Sequence, residues 1–425
     1  MSDLIFSLVS WPRAIVHIDG DAFFTSCEEA VHPELRGKPL ITGGERGIVA
    51  CASYAAKRLG VKRGVPLSDA RKMCPDLIIL PSDYETYSLF SRRMFAVMRR
   101  FTPDVEEYSI DEAFSDITGM RRALKASYED IALRMKTEIE RDLGITVSAG
   151  LSITKVLAKV ASKYQKPAGM TVIPGRDIAR YLHDLPVGSI WGIGPATTNY
   201  LAKLGIRTAL AFAQLPEATV RKKLSKPGVE IWQELRGQSV YPVISDEKSS
   251  YASISKTKTF SPPTSDADYL FAQLARNLES ACLKARRYDL APKKILVFLK
   301  SQRFETAGSE AALSRPCACP LEVSGVVREL FNACRRPCEL YRATGVILAD
   351  LVADERIQYS LFDDPVQAEK IRDVYAAADG LAEKFGKHAV HLGASHLMEK
   401  MGDGRRETPA ARKQAKPAEE TKNRR

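Results

Sequence analysis

Short apolar runs that stop abruptly, alternating with segments of helical apolar period, constrain this chain more than any other feature of its sequence. Ala14-Ile15-Val16-His17-Ile18 reads as a buried strand that halts at Asp19-Gly20-Asp21, and a helical segment, Ala22 to Val31, follows at once. Ile48 to Tyr54 reads as a strand running into helical Ala55 to Leu59, and Leu77 to Leu80 as another strand, closed by Pro81. Tyr87, Phe90, Met94, Val97, Met98 and Phe101 recur at the helical period, which predicts a helix from Tyr84 to Phe101. Val105 to Tyr108 and Ala113 to Ile117 read as a hairpin pair with Ser109-Ile110-Asp111-Glu112 at its bend. A helix from Lys125 to Leu143, a strand from Ile145 to Gly150 and a helix from Ile153 to Tyr164 complete the series. Strands interleaved with helices in this way imply an α/β core reaching to about residue 175.

Beyond it the pattern changes. Between Ile178 and Arg236 short helices are broken by glycines. From Tyr251 a second unit begins: a strand, a long helix from Asp268 to Arg287, a strand from Lys294 to Leu299, a helix from Leu321 to Ala333 and a strand from Ala343 to Leu351. That order predicts a separate small α/β domain. After Asp403 the chain is polar and rich in Lys, Arg, Glu, Pro and Ala, the composition of a disordered tail.

With 425 residues, 45% of them hydrophobic, the chain has material for several cores. Its formal net charge of +11 suits a polyanionic partner, nucleic acid being the commonest, although a merely soluble basic protein has the same balance. The apolar run Leu4 to Val9 is closed by Trp11-Pro12-Arg13 after too few residues to span a membrane, so a cytoplasmic protein with no membrane partner is expected. Its 8 cysteines, scattered along the chain, are then reduced thiols by default.

Three carboxylates stand where strands end: Asp19, Asp111 and Glu112. Hard oxygen ligands of this kind suit magnesium, and two such ions can activate a hydroxyl and hold a leaving pyrophosphate. Spacing alone does not show that the three converge. Strand-end solvation or helix capping explains an isolated acidic pair equally well, with Asp21 as the N-cap of the Ala22 helix.

The company these acids keep is more telling. Asp19-Gly20-Asp21-Ala22-Phe23-Phe24, Ser53-Tyr54-Ala55-Ala56-Lys57, Ser109-Ile110-Asp111-Glu112-Ala113-Phe114 and Lys166-Pro167-Ala168-Gly169 occur in that order. Together they resemble the Y-family translesion DNA polymerases, and most nearly their bacterial DNA polymerase IV branch, over residues 14 to about 355.

The resemblance implies an α/β multidomain, right-hand polymerase. Residues 12–22 and 83–175 would form the catalytic palm, 23–82 the fingers, 176–242 a helical thumb, 243–250 a linker and 251–355 the little finger. Residues 356–402 would carry a clamp-binding peptide and a helical extension, and 403–425 a disordered basic tail. It also implies template-directed, low-fidelity DNA synthesis past damage, without proofreading. Asp19, Asp111 and Glu112 would hold two Mg2+ ions, with the Gly20 carbonyl assisting. Phe23, Phe24, Tyr54, Lys57 and Lys166 would bind the nucleotide, with Phe24 excluding a 2′-hydroxyl by a clash. Ile48 and Ala50 would roof the nascent base pair. Gly20, Cys51 and Lys57 depart from the pattern, which usually has a bulkier apolar residue, a hydroxyl residue and an arginine there. A lysine keeps the charge but not the bidentate fork.

Trp191-Gly192-Ile193-Gly194-Pro195-Ala196-Thr197 resembles a helix-hairpin-helix turn, in which Gly192, Gly194 and Thr197 would meet a DNA phosphate. Lys256, Lys258, Lys284, Arg286, Arg287, Lys293, Lys294, Lys300 and Arg303 give the second unit a basic face suited to phosphates. Gln358, Leu361 and Phe362 fit the peptide with which bacterial polymerases dock on the sliding clamp. The implied partners are primed template DNA, dNTPs and that clamp, with the chain itself a monomer. A catalytically inactive, DNA-bound scaffold is the alternative, and it predicts loss of an acidic ligand, whereas all three are present. Cys317, Cys319, Cys334 and Cys338 can supply four thiolates, but at an unfamiliar zinc spacing, and whether they bind metal is left open.

Overall fold

A computed structural model describes residues 10–245, 251–354, 364–385 and 389–398. The run Leu4 to Val9, the peptide residues Gln358, Leu361 and Phe362, and the tail from residue 403 lie outside the described residues. The chain divides near residue 247 into two units.

In the first unit the elements follow in order: β1 (Ile15–Gly20), α1 (Phe23–Val31), β2 (Leu40–Thr42), β3 (Cys51–Ala52), α2 (Tyr54–Arg58), α3 (Leu67–Met73), β4 (Ile78–Leu80), α4 (Tyr84–Met98), β5 (Val105–Glu107), β6 (Glu112–Asp116), α5 (Met120–Leu124), α6 (Tyr128–Leu143), β7 (Val147–Ser152), α7 (Lys155–Tyr164) and β8 (Met170–Ile173). Five short helices then close the unit: α8 (Ile178–Leu182), α9 (Pro195–Lys203), α10 (Ala209–Ala213), α11 (Glu217–Lys223) and α12 (Lys226–Leu235).

Strands β5-β6-β1-β7-β8 form one sheet, and β3-β2-β4 a smaller one. Side-chain alternation gives the larger sheet two faces. Val16, Ile18, Ala113, Ala149 and Leu151 pack with Met94, Met98, Ile131, Met135 and Ile139 of α4 and α6. Ile15 and Phe114 point the other way, against Ala158 of α7. His17, Asp19 and Glu112 share the parity of that second face.

The N-cap of α1 is Ala22 in the left-handed region, φ 47°, with no side-chain cap, so Asp21 does not cap that helix. The helix expected from Lys125 to Leu143 begins at Tyr128 and runs unbroken to Leu143. Lys125 is left-handed, φ 47°, and closes α5. The chain restarts at Ser127, whose side chain accepts from the Asp130 N–H, so hydroxyl capping sets the start of α6.

The second unit runs β9 (Ser253–Thr264), α13 (Ala267–Arg286), β10 (Leu290–Ser301), β11 (Thr306–Ala312), α14 (Pro320–Cys334), β12 (Tyr341–Ala353) and α15 (Pro365–Phe385). Its sheet has the order β11-β10-β12-β9, every pair antiparallel. Leu270, Leu274 and Leu278 of α13 and Val323 and Val327 of α14 pack with Val297, Leu299, Val346 and Leu348 on one sheet face. Strand β11 leaves no apolar signature in the sequence because its residues are small or polar and none is buried, which suits an edge strand.

Gly150 fixes how closely α7 lies on β7: a Cβ there would come within 2.2 Å of both Ala158 O and Ser162 N. Both obstacles are backbone, so no rotamer relieves them. Gly150→Ala should therefore lower the unfolding free energy by roughly 3 kcal/mol, read from a denaturant titration. An unchanged midpoint would mean that α7 is not seated this way.

Candidate active site

Antiparallel pairing sets Asp19 opposite Glu112 on one side and Ser148 on the other. The Gly20 N–H donates to the Asp111 carbonyl at 2.8 Å, so the hairpin bend is tied to the end of β1. Residues far apart in sequence thus share one sheet end. Ligand atoms of His17, Asp19 and Glu112 lie within 4.8 Å of one another, and Asp111 is not one of that group. The Ser109 hydroxyl donates to Asp111 Oδ1 at 2.5 Å.

Gathering carboxylates costs energy unless cations or donors answer them. Lys166 Nζ reaches Asp19 Oδ1 at 2.5 Å and Asp21 Oδ1 at 3.5 Å. Lys159 Nζ reaches Glu112 Oε2 at 2.8 Å and lies 4.4 Å from the centre of the Tyr108 ring. His17 is fully buried, with Nδ1 2.7 Å from Ser162 Oγ and Nε2 3.2 Å from Glu112 Oε2, off the direction of a good hydrogen bond. Burial works to raise the Glu112 carboxyl, but the His17 imidazole and the Lys159 ammonium outweigh it and hold it down at about 2. Burial raises Asp111, helped by the charges of Asp19 and Glu112 against the Ser109 hydrogen bond. Burial keeps the His17 imidazole neutral by pushing its pKa down. Lys155, a turn before Lys159, binds Glu106 at 2.6 and 2.7 Å.

Asp21 is 1% exposed. It accepts from Ser148 Oγ at 2.9 Å through both oxygens and from the Ala168 N–H at 2.7 Å, which binds the Lys166 loop to the end of β1. The Tyr54 hydroxyl donates to Asp21 Oδ1 at 3.4 Å, and Lys57 Nζ sits 4.3 Å from the centre of the Tyr54 ring. Phe24 stacks on Tyr87, ring centres 4.5 Å apart and planes 12° from parallel, with Tyr84 edge-on at 5.4 Å. Phe23 instead faces the core at 3% exposure, leaving only its backbone for a ligand. Its ring fills the space beside Gly20, where a Cβ would meet Phe23 Cδ2 at 2.7 Å. The missing side chain at position 20 is thus answered by this ring. Cys51 Sγ lies 3.9 Å from Thr25 Oγ1.

His17, Asp21, Lys159 and Trp191 were not singled out for this site from the sequence. A lysine every fourth residue at 155, 159 and 163 was the available signal. Trp191 donates to the Tyr108 hydroxyl at 3.0 Å and packs against Phe114.

Gly192 is left-handed, φ 86°, and Gly194 is the N-cap of α9, where Thr197 lies in the first turn. These residues form a separate feature of the same unit. In the second unit, Ser253, Ser255, Thr257 and Thr259 are exposed on the sheet face away from the helices. Arg286 does not belong to the basic face: it is bound to Asp379 by two hydrogen bonds of 2.7 Å. Lys294 is paired with Glu310 at 2.5 Å.

Family models described as the impB/mucB/samB family, its HHH motif and its C-terminal domain match residues 18–163, 176–206 and 251–361. DNA polymerase IV of Desulfatibacillum aliphaticivorans is 33% identical over 383 residues, 89% of this chain and 96% of that protein. DNA polymerase IV of Brucella melitensis biotype 1 is 34% identical over 400 residues, 94% of this chain and 88% of its own length. Among solved structures, a Y-family DNA polymerase chimera of Dbh and Dpo4 superposes with a TM-score of 0.67 at 25% identity, covering 80% of this chain and 99% of that one. An insertion ternary complex of Dbh DNA polymerase has a TM-score of 0.55 with the same identity and coverage.

The ionic balance around Glu112 has a measurable consequence. A carboxyl held below its unfolded value of about 4.3 stabilises the fold above that pH, and the benefit is lost as the pH falls towards 2. Lys159→Met removes one of the two groups opposing burial, so Glu112 should protonate at higher pH. The variant should therefore be less stable than the native chain at about pH 6 and lose less unfolding free energy as the pH falls from there, because the Glu112 contribution is already missing. Parallel profiles would contradict the pairing.

Proposed function

The chain belongs to the impB/mucB/samB family of Y-family DNA polymerases, and on that premise we propose that Asp19, Asp111 and Glu112 form its nucleotidyl-transfer site. The chain is a DNA-directed DNA polymerase that carries out translesion synthesis. It uses divalent metal and binds DNA and an incoming nucleotide. The observation that carries the site assignment is the convergence of acids from β1 and the β5–β6 bend, with Lys159 and Lys166 against them.

The donor set fits hard divalent cations: carboxylate oxygens and a neighbouring carbonyl, with a buried neutral imidazole beside Glu112. We take the ions to be two Mg2+, held by Asp19, Asp111, Glu112 and the Gly20 carbonyl. When bound, they supply charge that acidifies the primer 3′-hydroxyl and stabilises the leaving pyrophosphate. Lys166 is placed to exchange its contact with Asp19 for phosphate oxygens. Tyr54 and Lys57 add a hydroxyl and a cation on α2, and the Phe23 and Phe24 amides open α1 nearby. Phe24, backed by the buried Tyr87, presents a fixed ring to the sugar. Ile48, 42% exposed, is available to roof the base pair with Ala50.

In this reading 12–22 and 83–175 act as palm, 23–82 as fingers, 176–242 as thumb and 251–355 as little finger. The amide groups after Gly194 and the exposed hydroxyls and lysines of the second sheet are suited to phosphates without reading sequence. Among the described residues no helix is long and apolar enough to cross a membrane. We take the chain to act as a cytoplasmic monomer. The stretch containing Gln358, Leu361 and Phe362 falls between β12 and α15, and its residue pattern supports clamp docking there.

Two experiments test this reading. On a primed template with Mg2+, the native chain should insert dNTPs, and Phe24→Ala should raise relative ribonucleotide insertion about tenfold or more, about 1.4 kcal/mol. Tyr87→Leu, which removes the ring behind Phe24 together with its hydroxyl's hydrogen bond to Glu28, should give a smaller change in the same direction. Unaltered discrimination in Phe24→Ala would rule out the gate, and no insertion by the native chain would rule out the function. Separately, Leu361→Ala combined with Phe362→Ala should retain basal extension but lose stimulation by the clamp. Equal stimulation would exclude that peptide.

A further inference from the structure

We propose that the second unit holds a zinc-type divalent ion through the Cys317 and Cys319 thiolates and one carboxylate oxygen of Glu322 on α14. Donor atoms of these three residues lie within 4.8 Å of one another. Bond lengths of about 2.0–2.3 Å in a tetrahedral zinc site put its ligands roughly 3.5 Å apart, so small side-chain rotations complete the set. This is not the four-cysteine set that the spacing suggested. Cys334 Sγ lies against the Val297 carbonyl at 3.7 Å and Cys338 is exposed, and neither joins the group.

Several independent features hold these donors ready. Cys319 is the N-cap of α14 and Glu322 lies in the first turn of that helix, so both project from one turn. Thiolates are favoured at a helix N-terminus. Arg286 Nη1 donates to the Ala318 carbonyl at 2.5 Å, fixing the backbone between the two cysteines, and Asp379 clamps that arginine. Arg315 binds Glu322 Oε2, while Glu322 Oε1 is buried with no hydrogen-bond partner among the described residues. One oxygen is thus oriented by a neighbour and the other is left open, as in metal sites whose ligands are positioned from behind. An adjoining cavity of about 520 Å³ offers entry and room for a fourth, water ligand. Its walls carry Asp289, Glu322, Asp354, Glu369, Asp373 and Asp379 against three arginines, a balance that favours a cation. Two sulfur donors select a soft or borderline ion over Mg2+.

The test uses the reduced full-length chain with Co2+ as the probe, because thiolate-to-cobalt charge transfer absorbs where carboxylate-bound cobalt does not. The native chain should show this band, saturating at one ion per chain and abolished by Zn2+. Asp111→Ala should keep it. Cys317→Ser combined with Cys319→Ser should lose it while still extending primers, which shows that it is folded. Glu322→Gln should weaken Co2+ binding about tenfold or more with the band retained. Absence of the band in the native chain, or its survival in the double serine variant, would overturn the proposal. Should the serine variant not fold, unchanged Co2+ affinity in Glu322→Gln would overturn it equally.

Discussion

Like charges are assembled here at the end of one strand, and the structure around them is arranged to make that tolerable. β1 lies between β6 and β7, and its register brings Asp19 beside Glu112 while the Gly20 amide ties down Asp111. Four acids, counting Asp21, then meet near one sheet end. Lys159 and Lys166 answer three of them, and Ser148 with the Ala168 amide completes the satisfaction of Asp21. Without those partners the sheet end would be a site of repulsion. Helix α7 supplies Lys159, and its close seating depends on the bare backbone of Gly150.

The acids are not equivalent. Asp19 and Glu112 each have an ammonium group within hydrogen-bonding distance, whereas Asp111 forms no ion pair among the described residues and has only a hydroxyl donor. Burial accordingly raises Asp111 while Glu112 is held low. Asp111 is therefore the carboxylate that most needs a further cation. The ammonium groups mark where positive charge is already favourable, and in the proposed site metal and triphosphate would replace these ion pairs.

Much of this was legible in the sequence, for identifiable reasons. The strand end at Asp19 showed because an apolar β-branched run stops there, and the helices α4 and α13 showed through long apolar periods. Convergence of Asp19 with Glu112 did not show, because register between strands so remote in sequence leaves no local trace. The start of α6 at Tyr128 is set by the Ser127 cap, which the apolar period does not mark, and β11 was hidden by having no buried residue. Asp21 read as a cap because its real partners, Ser148 and Ala168, are remote in sequence. Arg286 read as a phosphate ligand because Asp379, which occupies it, lies in a different helix. The roles of Phe24, Tyr54, Lys57 and Lys166 came from family resemblance and not from residue chemistry alone.

The proposed catalysis rests on acids from β1 and the β5–β6 bend acting together in nucleotidyl transfer. Single-nucleotide insertion on a primed template with Mg2+ puts this to the test, comparing the native chain with Asp111→Ala under single-turnover conditions. The native chain should insert, and the variant should lose at least about three orders of magnitude in rate, some 4 kcal/mol of transition-state stabilisation. Insertion by Asp111→Ala at the native rate, with DNA binding unchanged, would show that the converged acids are not the catalytic site.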